Sequence, residues 1–111
     1  MSRSIASTDI FQAISDPTRR AILDRLQLGE QPVKHLAEPF AMSLPAISQH
    51  LQILSAAGLV IQHRRGRQRI YQLNPASLKP VSDWVSQYEQ FWAAKLDALE
   101  EYLEEQPWAK R

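Results

Sequence analysis

Apolar positions along the chain fall into several short stripes and one long one. Ile10, Phe11 and Ile14, preceded by Ser7, Thr8 and Asp9 as candidate caps, predict a first short helix. Asp16 followed by Pro17 is a firmer start signal. The carboxylate can accept from free amides, and the proline sits where an N–H would have no helical partner. Ala21, Ile22, Leu23, Leu26 and Leu28 then mark one face as far as Gly29, a left-handed cap, which predicts a helix over roughly 17–28. Val33, Leu36, Ala37 and Phe40 form a third stripe that Pro39 cuts short. Ser43 as N-cap and Pro45 in the first turn open a fourth helix, with Ile47, Leu51 and Leu54 inward and Gly58 as its stop. Two helices joined by a turn of about three to four residues make a helix-turn-helix candidate.

After Gly58 the period changes. Leu59, Val60 and Ile61 open a β-rich run, Gly66 breaks it among arginines, and Ile70 to Leu73 resumes it, so a hairpin with a basic tip is expected, closed by Asn74-Pro75. Beyond it Val81, Trp84, Val85, Tyr88, Phe91, Trp92, Leu96, Leu99, Tyr102 and Leu103 recur at helical spacing. That spacing predicts a helix of about 35 Å, longer than the rest of so small a domain can cover. Left exposed on a monomer, such a stripe is an aggregation hazard. Pairing with its own copy in a two-fold dimer, helped by the first helix, removes the hazard. Phe11, Ile14, Trp84, Tyr88, Phe91, Trp92, Leu99 and Tyr102 are the candidate interface. The alternative is that these aromatics fold back onto the core of their own chain.

Composition narrows the chemistry. The chain has 111 residues and no cysteine, which excludes disulfides, thiolate metal sites, iron–sulfur clusters and cysteine nucleophiles. One domain, 1–111, is expected at this length. No apolar run approaches the ~20 residues that cross a bilayer, and Met1 to Ile10 lacks a signal-peptide block, so a soluble, cytoplasmic protein is expected. The net charge of +1 conceals an asymmetry: residues 1–74 carry nine Lys/Arg against five Asp/Glu, and residues 75–111 carry four against seven. From Ala41 to Asn74 there are four arginines and no carboxylate at all. Such a block calls for a polyanion, nucleic acid first.

If Ile47, Leu51 and Leu54 point inward, Pro45, Ser48, Gln49 and Gln52 occupy the other face of the fourth helix. A face without carboxylates can approach phosphates, and Gln49 can pair with an adenine edge in the major groove. Ser43 can both cap the helix and donate to a phosphate. His50 borders the buried face, where it serves as a phosphate contact or as a structural hydrogen bond. In the hairpin, strand alternation sets Arg67 and Arg69 on the side of Tyr71 and Leu73, with Arg69 able to turn inward, while Arg64 and Arg65 flank Gly66. These four are a candidate phosphate or minor-groove clamp. Arg19, Arg20 and Lys34 either extend the basic surface or pair within the chain. His35 and His63 are read as exposed or capping residues. No Gly-rich phosphate loop, metal-ligand cluster or Ser-His-Asp spacing is present, which argues against an enzyme.

Three segments together resemble the ArsR/SmtB family of bacterial winged-helix repressors. They are Ser15-Asp16-Pro17-Thr18-Arg19-Arg20-Ala21-Ile22-Leu23, then Leu44-Pro45-Ala46-Ile47-Ser48-Gln49-His50-Leu51 with Leu54 and Ala57-Gly58-Leu59-Val60, and Arg65-Gly66-Arg67 with Tyr71 and Leu73. The resemblance spans about residues 8–105. It implies a mostly α fold with a small β-hairpin, a winged helix-turn-helix of four helices, two strands and a last helix, dimeric through the first and last helices. On that reading 8–74 is the DNA-binding core, with the helix-turn-helix at about 33–57 and the wing at about 59–73, and 76–106 is the dimerisation helix. It implies double-stranded operator DNA as partner, a palindromic site, autoregulation and release by an inducer. Metal sensors of the family carry a Cys-Val-Cys-type motif where this chain has Pro32-Val33-Lys34, and a second site needs histidine on the last helix, absent from residues 75–111. No metal and no cofactor is therefore expected. Leu36 to Pro45 and Tyr88-Glu89-Gln90-Phe91-Trp92 resemble a cysteine-free branch often encoded beside small hydrophobic-ligand-binding proteins. That resemblance implies autoregulation or control by a small organic molecule, without identifying one. The competing function is a winged-helix interaction module whose aromatic last helix binds another protein.

Overall fold

The computed structural model describes residues 9–110. In chain order the elements are α1 (Ile10–Ala13), α2 (Pro17–Leu26), β1 (Gln31–Pro32), α3 (Val33–Ala37), α4 (Leu44–Ala56), β2 (Val60–Arg65), β3 (Gln68–Leu73) and α5 (Lys79–Glu104). Short 3-10 turns at Pro75–Leu78 and Pro107–Lys110 flank α5. Among the described residues, those up to Lys79 and those from Pro80 form two compact units.

Local chemistry explains the helix starts. Asp9 accepts from the Phe11 amide at 3.0 Å, Asp16 from the Arg19 amide at 3.0 Å and Ser43 from the Ala46 amide at 3.3 Å. Ser7 and Thr8 lie outside the described residues. The stop of α4 is equally local. Gly58 takes φ +80°, its amide donates to the Ser55 carbonyl, and the Leu59 amide donates back to the Leu54 carbonyl at 2.9 Å. This double return also presses Leu59 against Leu54, both fully buried.

In the first unit α1 to α4 enclose a core of Ala13, Ile22, Leu23, Leu26, Leu36, Ile47, Leu51 and Leu54, capped by Leu59 just before β2 and by Val60 and Tyr71 from the sheet. The sheet is antiparallel in the order β1-β3-β2, with Arg64 opposite Arg69 and Arg65 opposite Gln68. Asn74 clasps its base: the amide donates to the Leu59 carbonyl and the side-chain nitrogen to the Gly58 carbonyl, each at 2.9 Å.

Several sequence expectations are corrected. Helix α2 ends at Leu26, not Leu28, because the amides of Gln27, Leu28 and Gly29 turn back in tight bonds; Leu28 is 84% exposed and outside the core. The turn between α3 and α4 runs over residues 38–43, longer than a three- or four-residue turn, since Pro39 prevents α3 from continuing. Strand β1 was not expected; two residues become a strand only by pairing Gln31 with Tyr71 and Pro32 with Ile70. Arg67 belongs to the turn rather than to β3, so strand alternation does not place it.

The second unit is dominated by α5, none of whose residues is buried. Trp84, Tyr88, Phe91, Trp92, Leu96, Leu99 and Tyr102 are all exposed. Trp84 meets Tyr88 edge to face with centroids 5.5 Å apart, and Tyr88 lies 6.5 Å from Phe91. No helix among the described residues is long and apolar enough to cross a membrane.

Candidate nucleic-acid interface

The cap at Ser43 and the buried triad Ile47, Leu51 and Leu54 fix both the start and the rotation of α4. Rotation in turn decides what faces outward: Ser43, Pro45, Gln49 and Gln52 are exposed, while Ser48 and His50 are half-buried. The outward face carries amides and hydroxyls and no charge of either sign, as the sequence predicts.

The wing sorts its arginines by chemistry. Arg65 is ion-paired to Glu30 at 2.5 Å, and His63 approaches the other carboxylate oxygen at 3.3 Å. Arg64, Arg67 and Arg69 have no carboxylate partner among the described residues. Arg69 does not turn inward; it is exposed, and Arg64 sits directly across the ladder from it. Like charges opposed in this way cost stability, an arrangement that a polyanion relieves. Lys34, Arg67 and Arg69 also line an open cavity of about 380 Å³ together with Val33, Leu44 and Ser48. A phosphate placed there would meet three cations and a hydroxyl.

Arg19 and Arg20 are tied back within the chain. Arg20 donates to the Ile14 carbonyl at 2.8 Å, and Arg19 donates to the Ala13 carbonyl at 2.7 Å. Neither forms an ion pair among the described residues; Arg20 is held by a backbone carbonyl, and Arg19 by two carbonyls and the His50 ring. His35 lies 3.6 Å from Glu38. Glu30 and Gln31 are the residues that sequence reasoning missed. Gln31, buried among polar groups, donates to the Arg25 carbonyl at 2.7 Å and fixes the approach to β1.

Two carboxyls are held below their ordinary values. Hydrogen bonding from Arg65, reinforced by the charges of Arg65 and His63, lowers Glu30 from 4.5. The hydrogen bond from the Arg19 amide, with the charge of the Arg19 guanidinium, lowers Asp16 from 3.8. A carboxyl that is more acidic folded than unfolded contributes stability that is complete above its unfolded value and lost as pH falls through its folded one. Stability is therefore expected to drop on acidification below about pH 4.5, with a shallower drop in Glu30→Gln. Urea midpoints across that range read the difference, and identical acid limbs would count against the clasp on the wing.

The family model described as "Helix-turn-helix domain" matches residues 14–63. The transcriptional repressor SdpR of Bacillus subtilis is 44% identical over 77 residues, covering 69% of this chain and 86% of SdpR. The HTH-type transcriptional regulator Rv2034 of Mycobacterium tuberculosis is 37% identical over 94 residues, 85% of each protein. A crystal structure of an ArsR family transcriptional regulator superposes with a TM-score of 0.68 at 38% identity, over 76% of this chain and 92% of that one. The chain belongs to the ArsR/SmtB family. Its fold is thus the winged helix-turn-helix, with α3 and α4 as the helix pair and β2–β3 as the wing. It is a DNA-binding transcriptional regulator and not an enzyme.

Proposed function

We propose that this regulator is a homodimeric repressor that binds a palindromic operator, its own promoter included, in the cytoplasm. Helix α4 enters the major groove, with Ser43, Pro45, Ser48, Gln49, His50 and Gln52 toward the DNA, and the wing sets Arg64, Arg67 and Arg69 on phosphates or in the minor groove. Arg65 shares its charge with Glu30 and contributes less. The observation that carries this reading is an uncharged polar face on α4 together with a hairpin on which Arg64, Arg67 and Arg69 have no carboxylate partner among the described residues. The chain has no cysteine, so release by thiolate capture of a metal is not its mechanism; a small organic inducer fits better.

The experiment compares Gln49→Ala with Arg67→Ala on a panel of duplexes. Removing a base contact relaxes discrimination at one position, by about 1–3 kcal/mol, whereas removing a phosphate contact weakens all sequences alike. Uniform weakening by Gln49→Ala would contradict its assigned role.

The dimer rests on the exposed aromatic stripe of α5, Trp84, Tyr88, Phe91, Trp92, Leu99 and Tyr102; Phe11 is exposed on its own unit, whereas Ile14 packs against the core there and is not free for an interface. Burying the α5 stripe against an identical stripe satisfies both copies at once. Sedimentation equilibrium is expected to give twice the chain mass at micromolar concentration. A stable monomer would instead favour an aromatic surface meant for another protein.

A further inference from the structure

The guanidinium of Arg19 joins three elements. Its Nε donates to the Ala13 carbonyl at 2.7 Å and its Nη2 to the Gln12 carbonyl at 3.3 Å, both at the end of α1. Its Nη1 lies 3.2 Å from Nδ1 of His50 on α4. A guanidinium offers donors only and keeps its charge in proteins, so this approach requires a lone pair on Nδ1. The proton of the neutral ring then resides on Nε2. The opposite arrangement, with a proton on Nδ1, would set N–H against N–H. The nearby acceptor for such a proton, Asp16 Oδ2, is 4.0 Å away, beyond hydrogen-bonding length, and already accepts from the Arg19 amide.

We propose that Arg19 is a positioning residue that fixes His50 as an Nε2–H donor on the DNA-facing helix and couples the placement of that donor to α1. His50 keeps 20% of its side chain exposed beside the exposed Gln49. A ring held in this tautomer can donate to a phosphate oxygen or to the acceptor edge of guanine, and it cannot serve the donor groups of adenine or cytosine. Because the same guanidinium grips two α1 carbonyls, a shift of α1 reaches α4 through one side chain. The inference rests on the reading of α4 as the helix that meets DNA.

Two measurements test it separately. In the free, full chain at about pH 8, where imidazoles are mostly neutral, long-range proton–nitrogen NMR correlations are expected to show His50 as the Nε2–H tautomer. In Arg19→Ala the same ring is expected to become a tautomeric mixture. An Nδ1–H pattern in the unaltered chain overturns the proposal whatever the DNA result. Binding is then read on a duplex selected by the unaltered chain from a randomised library. His50→Gln places its amide nitrogen near Nε2 and is expected to stay within about threefold, whereas His50→Asn reaches only the Nδ1 position and is expected to lose about tenfold or more, a single hydrogen bond's share. Equal binding by the two variants overturns the donor role. A chain that enriches no sequence would count against the DNA reading, and the tautomer would then decide the role of Arg19 alone.

Discussion

Leu51→Ala is expected to lower the unfolding free energy by about 2–5 kcal/mol. Leu51 is fully buried at the centre of α4, enclosed by the same core that holds Ile22, Leu36 and Ile47. Truncation leaves a cavity in a small core that has few ways to collapse around it. A domain of this size has roughly 5–15 kcal/mol in all, so the variant should stand near the edge of folding. Urea titration should show a lower midpoint at unchanged slope. Leu28→Ala, at a residue 84% exposed, is the control and should change stability by less than about 0.5 kcal/mol. A loss below about 1 kcal/mol at Leu51 would mean that α4 is not anchored as described.

Removing the wing arginines that have no carboxylate partner among the described residues should have the second large effect. Arg64→Ala, Arg67→Ala and Arg69→Ala combined are expected to weaken DNA binding by about a hundredfold or more at moderate salt. They should also flatten the dependence of log affinity on log salt by about 0.9 for each phosphate that is no longer neutralised. Arg65→Ala is expected to flatten it least, because Glu30 already neutralises that guanidinium. The contrast separates phosphate contact from mere positive charge. If Arg65→Ala matched Arg64→Ala in salt slope, the division of labour along the wing would be wrong.

What the sequence disclosed and what it withheld divide along the range of the interactions involved. The ends of α4 were legible because Ser43 and Gly58 act on amides and carbonyls within a few residues of themselves. The inward turn of Ile47, Leu51 and Leu54 was legible because period alone fixes it. The hairpin was legible from Gly66 between two β-rich runs, although the turn residue Arg67 escaped strand alternation. Strand β1 was not legible, since Gln31 and Pro32 have no strand character of their own and acquire it from Tyr71 and Ile70, far along the chain. For the same reason Glu30 gave no sign that it would draw Arg65 and His63 away from the other wing cations. For Arg19 the sequence left surface and internal roles open; its partners lie on α1 and α4, at distances in sequence that periodicity does not encode. Family resemblance supplied the assembly of these parts, which residue patterns alone left as a helix pair beside a basic hairpin.

The central claim is that the chain reads DNA sequence through α4 while the wing supplies affinity. Fluorescence anisotropy tests it most directly, with a duplex from upstream of its own gene and a scrambled duplex of equal composition, at about 50 and about 200 mM salt. Preference for the upstream duplex by about a thousandfold or more is expected at the higher salt, with both affinities falling steeply as salt rises. Equal affinity for the two duplexes would contradict the account.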